Sequence, residues 1–193
     1  MKPLRIAVAD DELDMRQYFQ RMLPRLGHTV IGAASNGREL VQLCRAENPD
    51  LVITDIKMPE LDGIEAAWQI YEQRPVPIIL VSAYHDAQLI QRAEADHVLG
   101  YLVKPIKQAD LEPVIALAAR RFEQLQALQK EAADLRQALA DRRIIEQAKT
   151  LLAQRAGLDE EGAFQHLQEQ ARNANLKLVE AAQRLLTSDE PTK

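Results

Sequence analysis

The run Leu51-Val52-Ile53-Thr54-Asp55-Ile56-Lys57-Met58-Pro59 constrains this chain more than any other stretch. Three aliphatics in succession read as a strand buried on both faces, the kind that belongs inside a parallel sheet. The strand ends on a carboxylate, and Met58-Pro59 keeps a helix from starting at once. Alone, Asp55 would be an ordinary turn or capping aspartate. Its company changes that reading. Asp10-Asp11 closes the earlier run Arg5-Ile6-Ala7-Val8-Ala9, Ser82 closes Ile78-Ile79-Leu80-Val81, and Lys104-Pro105 closes Tyr101-Leu102-Val103.

Helix patterns separate these strands. Met15, Phe19, Met22, Leu23 and Leu26 recur at helical spacing and stop at Gly27. After a strand over Val30–Ala34 and a turn at Ser35-Asn36-Gly37, Leu40, Val41, Leu43 and Cys44 form a second helix that ends near Asn48-Pro49. A third runs from Ile64 through Trp68 and Ile70 to Arg74-Pro75, and a weaker one spans Ala87–Glu94. Strand and helix alternate five times over about 120 residues, which predicts an α/β fold: a doubly wound, five-stranded parallel sheet of flavodoxin-like type.

In such a sheet, chemistry gathers outside the carboxyl ends of the strands. The first and third strands end side by side, so Asp10, Asp11 and Asp55 converge. Three close carboxylates need a counter-ion, and a hard divalent cation suits them, with Mg²⁺ the choice where phosphate is involved. Lys104 adds a fixed positive charge and Ser82 a hydroxyl donor. The set fits phosphoryl transfer to a carboxylate: a nucleophile, a metal, and donors for the phosphoryl oxygens.

With these residues placed, positions 4–120 resemble the response-regulator receiver domain of two-component signalling, and residues 1–120 are read as that domain. The resemblance implies that Asp55 is the phosphoacceptor. It implies Asp11 as direct Mg²⁺ ligand, Asp10 as its water-linked companion, Asp55 and the Lys57 carbonyl as further ligands, and Lys104 as the partner of the phosphoryl group. Ser82 would be the switch hydroxyl and Tyr101 the aromatic that moves with it, and the Lys104–Pro105 bond is expected to be cis. A sensor histidine kinase is the implied partner. No separate substrate is indicated, so the protein is read as a regulator that aids its own phosphorylation and dephosphorylation rather than as an enzyme.

Beyond Pro105 the last receiver helix does not stop. Leu111, Val114, Ala118, Arg121, Leu125, Leu128, Ala132, Leu135 and Leu139 alternate at spacings of three and four, a heptad seam interrupted at Arg121. Residues 121–140 are read as a coiled-coil linker helix. Two uses of the seam stay open: a parallel homodimer stalk, or an amphipathic helix folded back on its own chain.

Residues 141–187 read as an all-α three-helix bundle, followed by a frayed tail over 188–193. Ile144, Ile145, Ala148, Leu151 and Leu152 form one apolar face and Ala163, Phe164, Leu167 and Ala171 a second. Leu178, Val179, Ala182, Leu185 and Leu186 form a third. Asp159 reads as an N-cap, with Gly162 an imperfection just inside the helix. Arg142-x-x-Ile145-Glu146-Gln147-Ala148-Lys149, Ala163-Phe164-x-x-Leu167, Ala171-x-x-x-Asn175 and Ala182-x-x-Leu185-Leu186 resemble the ANTAR domain of transcription antiterminators. Ala153 stands where that family more often has Met. The resemblance implies binding of tandem RNA stem-loops in leader transcripts, so that polymerase reads on. Exposed cations are needed against RNA phosphates, which makes Arg142, Lys149, Arg155, Arg172 and Lys177 the candidate contacts.

Charge tempers this. The chain carries 24 Lys and Arg against 29 Asp and Glu, net −5, and residues 137–193 hold 8 basic and 9 acidic groups. There is no global basic footprint. No helix carries the dense basic face of a major-groove reader, which weighs against a DNA-binding response regulator. A phosphorylation-controlled protein-interaction module is the other alternative. The lone Cys44 excludes an internal disulfide, and His28, His85, His97 and His166 lack metal-ligand spacing. No membrane span or secretory signal is expected, which suggests a cytoplasmic setting.

Overall fold

The computed structural model describes residues 2–83 and 98–187. The expected Ala87–Glu94 helix, His85, His97 and the tail over 188–193 lie outside the described residues. Five parallel strands, β1 (Arg5–Ala9), β2 (Thr29–Ala34), β3 (Leu51–Asp55), β4 (Ile78–Ser82) and β5 (Val98–Val103), pair in the order β2-β1-β3-β4-β5. The order reverses between β1 and β3, and that crevice is where the expected carboxylates meet. Helices α1 (Leu13–Arg25), α2 (Gly37–Glu47), α3 (Gly63–Gln73), α4 (Gln108–Ala156), α5 (Glu160–Asn173) and α6 (Leu178–Thr187) follow in chain order.

Strand periodicity splits the sheet's core into two layers. Ala7, Ala9, Val52, Ile78 and Leu80 pack with Leu40, Val41, Cys44, Ala66, Ala67 and Ile70 of α2 and α3. The alternate residues Ile6, Val8, Ile53, Ile79 and Val81 pack with Phe19 and Leu23 of α1 and with Leu111, Ile115 and Ala118 of α4. Every residue of β3 and β4 is buried, as an unbroken aliphatic run between two helical layers requires. Fully burying a side chain such as Phe19 or Leu23 contributes roughly 1.5–3 kcal/mol each. Trp68, placed in α3 by its pattern, is 52% exposed and adds nothing to either layer.

The helix starts are set by side chains. Asn36 Oδ1 accepts from the Glu39 amide at 2.8 Å, and Asp62 Oδ1 from the Glu65 amide at 2.8 Å. At the start of α3, the Gly63 amide donates to the Ile56 carbonyl at 2.8 Å, drawing the helix against the end of β3. A Cβ on Gly63 would collide with the Asp55 backbone carbonyl oxygen.

The chain divides into two compact units, residues 1–126 and 127–193, and α4 contributes to both. The heptad seam is one pattern with two uses. Leu111 and Ala118 are fully buried and Val114 is packed with them in the sheet's second layer, so this part is spent on the chain's own core. Past Arg121 the period continues, yet Leu128, Leu135 and Leu139 are 62%, 61% and 63% exposed. The exposed part of the seam starts at Leu125, because the residues before Arg121 already have a sheet to cover.

In the second unit the end of α4, α5 and α6 bury Ala148, Leu152, Ala163, Leu167, Ala171, Ala181 and Ala182 together. Small residues at these positions let the helices approach closely. Phe164, Leu151 and Val179 were expected in this core and are only half-buried, outside the cluster. On α5 the buried line is Ala163, Leu167 and Ala171, spaced by four, and Phe164 lies about 60° around the helix from its middle residue, Leu167. Gly162 is not an imperfection: its amide donates to Asp159 Oδ1 at 2.8 Å, and a Cβ there would crowd the same oxygen. We expect Gly63→Ala to lower unfolding free energy by roughly 1–3 kcal/mol in urea denaturation, as overpacking against backbone does.

Candidate functional site

Sheet register assembles the site. Ala9 pairs with Thr54, so the residues that follow, Asp10 and Asp55, leave adjacent strands together. Asp55 pairs with Val81, and Ser82 with Val103, which brings Ser82 and then Lys104 to the same edge. The Lys104–Pro105 bond is cis, as the resemblance implied. Asp10, Asp55 and Ser82 are all buried, while Asp11 and Glu12 are exposed at the rim.

Lys104 is the hub. Its Nζ lies 2.6 Å from Asp55 Oδ2, 3.0 Å from Asp10 Oδ2 and 3.1 Å from Glu12 Oε1. The contact with Asp10 Oδ2 is electrostatic, since that buried oxygen accepts no hydrogen bond. Burial works against the Lys104 charge, but its contacts with Asp55, Asp10 and Glu12 together outweigh burial and hold the amine above its ordinary value. Asp10 shows the opposite balance. Burial pushes its carboxyl up and the Asp55 charge adds to that, while the Glu12 amide at 2.9 Å and Lys104 pull only partly back.

The donor set fits a hard divalent cation. Asp10, Asp11, Glu12 and Asp55 each offer a carboxylate oxygen, all within 4.8 Å of one another. Four carboxylates against one amine leave a deficit of positive charge, and Asp10 Oδ2 has no donor of its own. All-oxygen ligands of this kind select Mg²⁺-like ions over softer metals. Lys57 sits two residues beyond Asp55, its amide 3.4 Å from Asp55 Oδ1. Tyr101 is half-buried on β5 against the layer that α2 and α3 cover.

Two residues at this site went unassigned by the sequence reading. Glu12 enters through its contact with Lys104, and the third acid of Asp10-Asp11-Glu12 was the available signal. Arg16, on the first turns of α1, donates from Nη1 to the Asp10 carbonyl at 2.7 Å and to the Asp11 carbonyl at 2.9 Å. Those bonds hold the loop that carries the acidic pair, and nothing in the spacing announced them.

The five candidate cations of the second unit do not share one environment. Arg142, Arg155, Arg172 and Lys177 are exposed. Lys149 is held: its Nζ pairs with Glu160 at 2.8 Å and with Glu146 at 3.1 Å, and its side chain is 13% exposed. Hydrogen bonds to Glu160 and then Glu146 raise its basicity. It ties α4 to α5 and has little charge left to offer.

An acidic cluster at a sheet's carboxyl edge, half buried and half at the rim, on a unit that one continuous helix joins to a small helical bundle, is the layout of a signalling protein with an input and an output unit. The response regulator receiver domain profile matches residues 6–116 and the ANTAR domain profile residues 133–186, so the chain belongs to the response regulators, with a C-terminal ANTAR domain. It is 38% identical over 184 residues to the transcriptional regulatory protein PdtaR of Mycobacterium tuberculosis, covering 95% of this chain and 90% of that one. It is 35% identical over 133 residues to the positive alginate biosynthesis regulatory protein of Pseudomonas aeruginosa, covering 67% and 53%. Among solved structures it resembles the signal receiver domain of a modulated diguanylate cyclase from Desulfovibrio desulfuricans, with TM-score 0.59 and 28% identity over 63% of this chain and 98% of that one. A receiver domain protein from Clostridium thermocellum is similar with TM-score 0.58 and 30% identity, over 63% and 98%. No helix among the described residues is long and apolar enough to cross a membrane.

The balance at Asp10 gives a test. A carboxyl whose folded pKa is raised favours folding below the unfolded pKa and costs stability as pH rises through the folded value. Asp10→Asn removes that cost at neutral pH. We expect its melting temperature in EDTA to rise by about 2 °C or more, and its melting curve to lose the wild type's response to added Mg²⁺, read by differential scanning calorimetry.

Proposed function

We propose that this response regulator is phosphorylated on Asp55 by a sensor histidine kinase and, in that state, binds RNA stem-loops through its ANTAR domain to promote transcription antitermination. The observation that carries the reading is α4. It starts four residues after Lys104, contributes Leu111 and Ile115 to the receiver core, and ends as the first helix of the ANTAR bundle. A change of charge at Lys104 therefore has a single covalent element leading to the output unit.

In this proposal Asp55 attacks the phosphorus of the donor through a carboxylate oxygen, and the leaving group departs in line. Asp10, Asp11 and Asp55, with the Lys57 carbonyl, would hold Mg²⁺, which neutralises the phosphoryl oxygens when bound. Lys104 gives up part of its hold on Asp55 and pairs with the phosphoryl group. Ser82 donates its hydroxyl to a second phosphoryl oxygen, and Tyr101, half-buried on the neighbouring strand, repacks with it. Arg16 keeps the Asp10–Asp11 backbone fixed throughout, since its two bonds are to carbonyl oxygens that the chemistry does not touch.

Dimerisation belongs to the same reading. From Leu125 to Leu139 the exposed apolar stripe keeps a strict three–four alternation, and Glu131 precedes Arg136 by five residues. That is the spacing at which opposite charges meet across a parallel two-stranded coiled coil. A parallel pair brings two ANTAR units to one end, which suits paired stem-loops and doubles the basic surface. Changing both Leu128 and Leu135 to Lys should leave the phosphorylated chain monomeric in sedimentation, because a charged seam cannot be buried. Dimers of that variant equal to wild type would move the interface elsewhere.

The test of function is fluorescence anisotropy on an RNA carrying two short hexaloop hairpins, against scrambled RNA and duplex DNA. With Mg²⁺ and a small phosphodonor, binding to the paired hairpins should tighten by roughly 5–150-fold, the size of ordinary coupling free energies. Asp55→Asn should abolish the gain and leave basal binding. Preference for duplex DNA would make the chain a DNA-binding regulator. No preference among the three, with Asp55 still phosphorylated, would make the output a protein contact.

A further inference from the structure

The receiver unit leaves a void in its own packing. Between the last turns of α2 and α3 lies a half-enclosed cavity of ≈ 140 Å³, walled by Val41 and Cys44 of α2, Ile70 of α3 and Val76 beyond it. All four are buried. Protein cores are packed so closely that voids larger than a water molecule are few, and this one is about the size that admits a benzene ring. The chain accounts for its place. α2 leaves through Asn48, in the left-handed region at φ 50°, into Pro49, and α3 leaves through Arg74 into Pro75. Neither helix can add the turn that would close the gap.

Wall and mouth differ in chemistry. Cys44, the chain's single cysteine, is more than nine-tenths buried, and its thiol has no hydrogen-bond partner among the described residues. Burial pushes it up to about 12, so the wall there is a neutral sulfur with a weak donor. A water needs two to four polar partners and does not find them among three aliphatics and one thiol. The mouth carries exposed Arg45 and Arg74 beside Asn48 and Gln73, and no lining residue is acidic. Arg45 Nε donates to Gln73 Oε1 at 3.1 Å, a bond that spans the mouth from α2 to α3. The Arg74 guanidinium meets no carboxylate among the described residues, and Glu47 at the end of α2 is held by Arg5 at 3.2 Å.

We propose that this cavity binds a small aromatic carboxylate of about the size of benzoate, its ring against Val41, Cys44, Ile70 and Val76 and its carboxylate on Arg74 at the mouth. Each half of such a ligand has its match. A ring removes the void, and a planar carboxylate is what a guanidinium fork pairs with through two parallel bonds. A cation of the same size meets two arginines, and a small anion without a ring leaves the void empty. The cavity sits where the chain enters β3 and β4, at the end of the sheet opposite Asp55. It is therefore a second input to the receiver, and it depends neither on phosphorylation nor on the RNA reading.

The experiment is equilibrium dialysis of the full chain against labelled benzoate. Binding should saturate at one per chain with a dissociation constant of about 1 mM or tighter. Acetate, which has the charge without the ring, and benzylammonium, which has the ring with the opposite charge, should each bind about tenfold or more weaker. Arg74→Gln should weaken benzoate about threefold or more, the scale of an exposed ion pair, and leave benzyl alcohol unchanged. Cys44→Leu fills the cavity, so it should lose benzoate while melting no lower than wild type. Should that variant fail to fold, the wild-type thiol gives the reading. At ten times the dissociation constant, benzoate should slow its labelling by methyl methanethiosulfonate about tenfold, in proportion to occupancy.

Binding that does not saturate overturns the proposal. So does folded Cys44→Leu that holds benzoate like wild type, or a thiol labelled at the same rate with benzoate at saturation, since the ligand then sits elsewhere. Acetate or benzylammonium bound as tightly as benzoate overturns the ligand class. An Arg74→Gln variant that keeps wild-type affinity overturns the carboxylate anchor.

Discussion

The structure depends on a charge conflict held in place by strand register. Asp10 and Asp55 are drawn to within reach of one amine because β1 and β3 are adjacent, and β1, β3 and β4 are too deeply packed to shift. A register slip by one residue would reverse every side chain of a strand buried on both sides, so the hydrophobic layers fix the carboxylates at the cost of their mutual repulsion. Lys104 relieves that repulsion only in part. The remaining deficit suits the site to the divalent cation and phosphoryl group of the proposed function, and it is also a standing instability in the folded chain.

The second constraint is that one helix passes through three environments in turn. A period of three and four residues runs through α4 from Leu111 to Leu139, but what it faces changes at Arg121. Before that point it covers the sheet, after it the apolar stripe is exposed, and from Ala148 onwards it packs with α5 and α6. Helix continuity costs little here because Ala, Leu, Gln, Glu and Arg dominate the stretch between the units, all strong helix formers. The exposed part is long enough for two heptads and little more, so the pairing of copies proposed above would be marginal and open to control.

Much of this was legible in the sequence, for a physical reason. A strand buried on both faces has to be an unbroken aliphatic run, and ligand chemistry in a parallel sheet gathers at the carboxyl ends beside the point where strand order reverses. Asp10, Asp55, Ser82 and Lys104 could be placed relative to one another before any coordinates, since topology alone brings them together. Arg16 could not, because a side chain reaching carbonyl oxygens leaves no periodic trace, whereas Glu12 had a signal in the third acid of Asp10-Asp11-Glu12. The seam of α4 was visible but not its division, since a heptad looks the same whether it faces a sheet or solvent. Phe164 was expected in the core because aromatic residues next to a buried line are assigned there by default, and a rotation of about 60° from Leu167 leaves its ring half-buried at the margin.

For the proposed RNA binding, the charge of the ANTAR unit limits how contact can be made. Residues 137–193 have one more acidic than basic group, and Lys149 is neutralised internally by Glu146 and Glu160. Few phosphates can be neutralised by one copy, so counterion release alone gives weak, salt-sensitive attachment. Affinity must then come from contacts that do not depend on net charge, or from a second copy that adds its own cations at a fixed distance. Linking two weak sites by a stiff helix raises their effective concentration without any new contact, and avidity of this kind is lost whenever the pair dissociates. A near-neutral bundle is in this sense suited to a switch: a strongly basic one would hold RNA as a monomer, phosphorylated or not, and the receiver would have nothing to control.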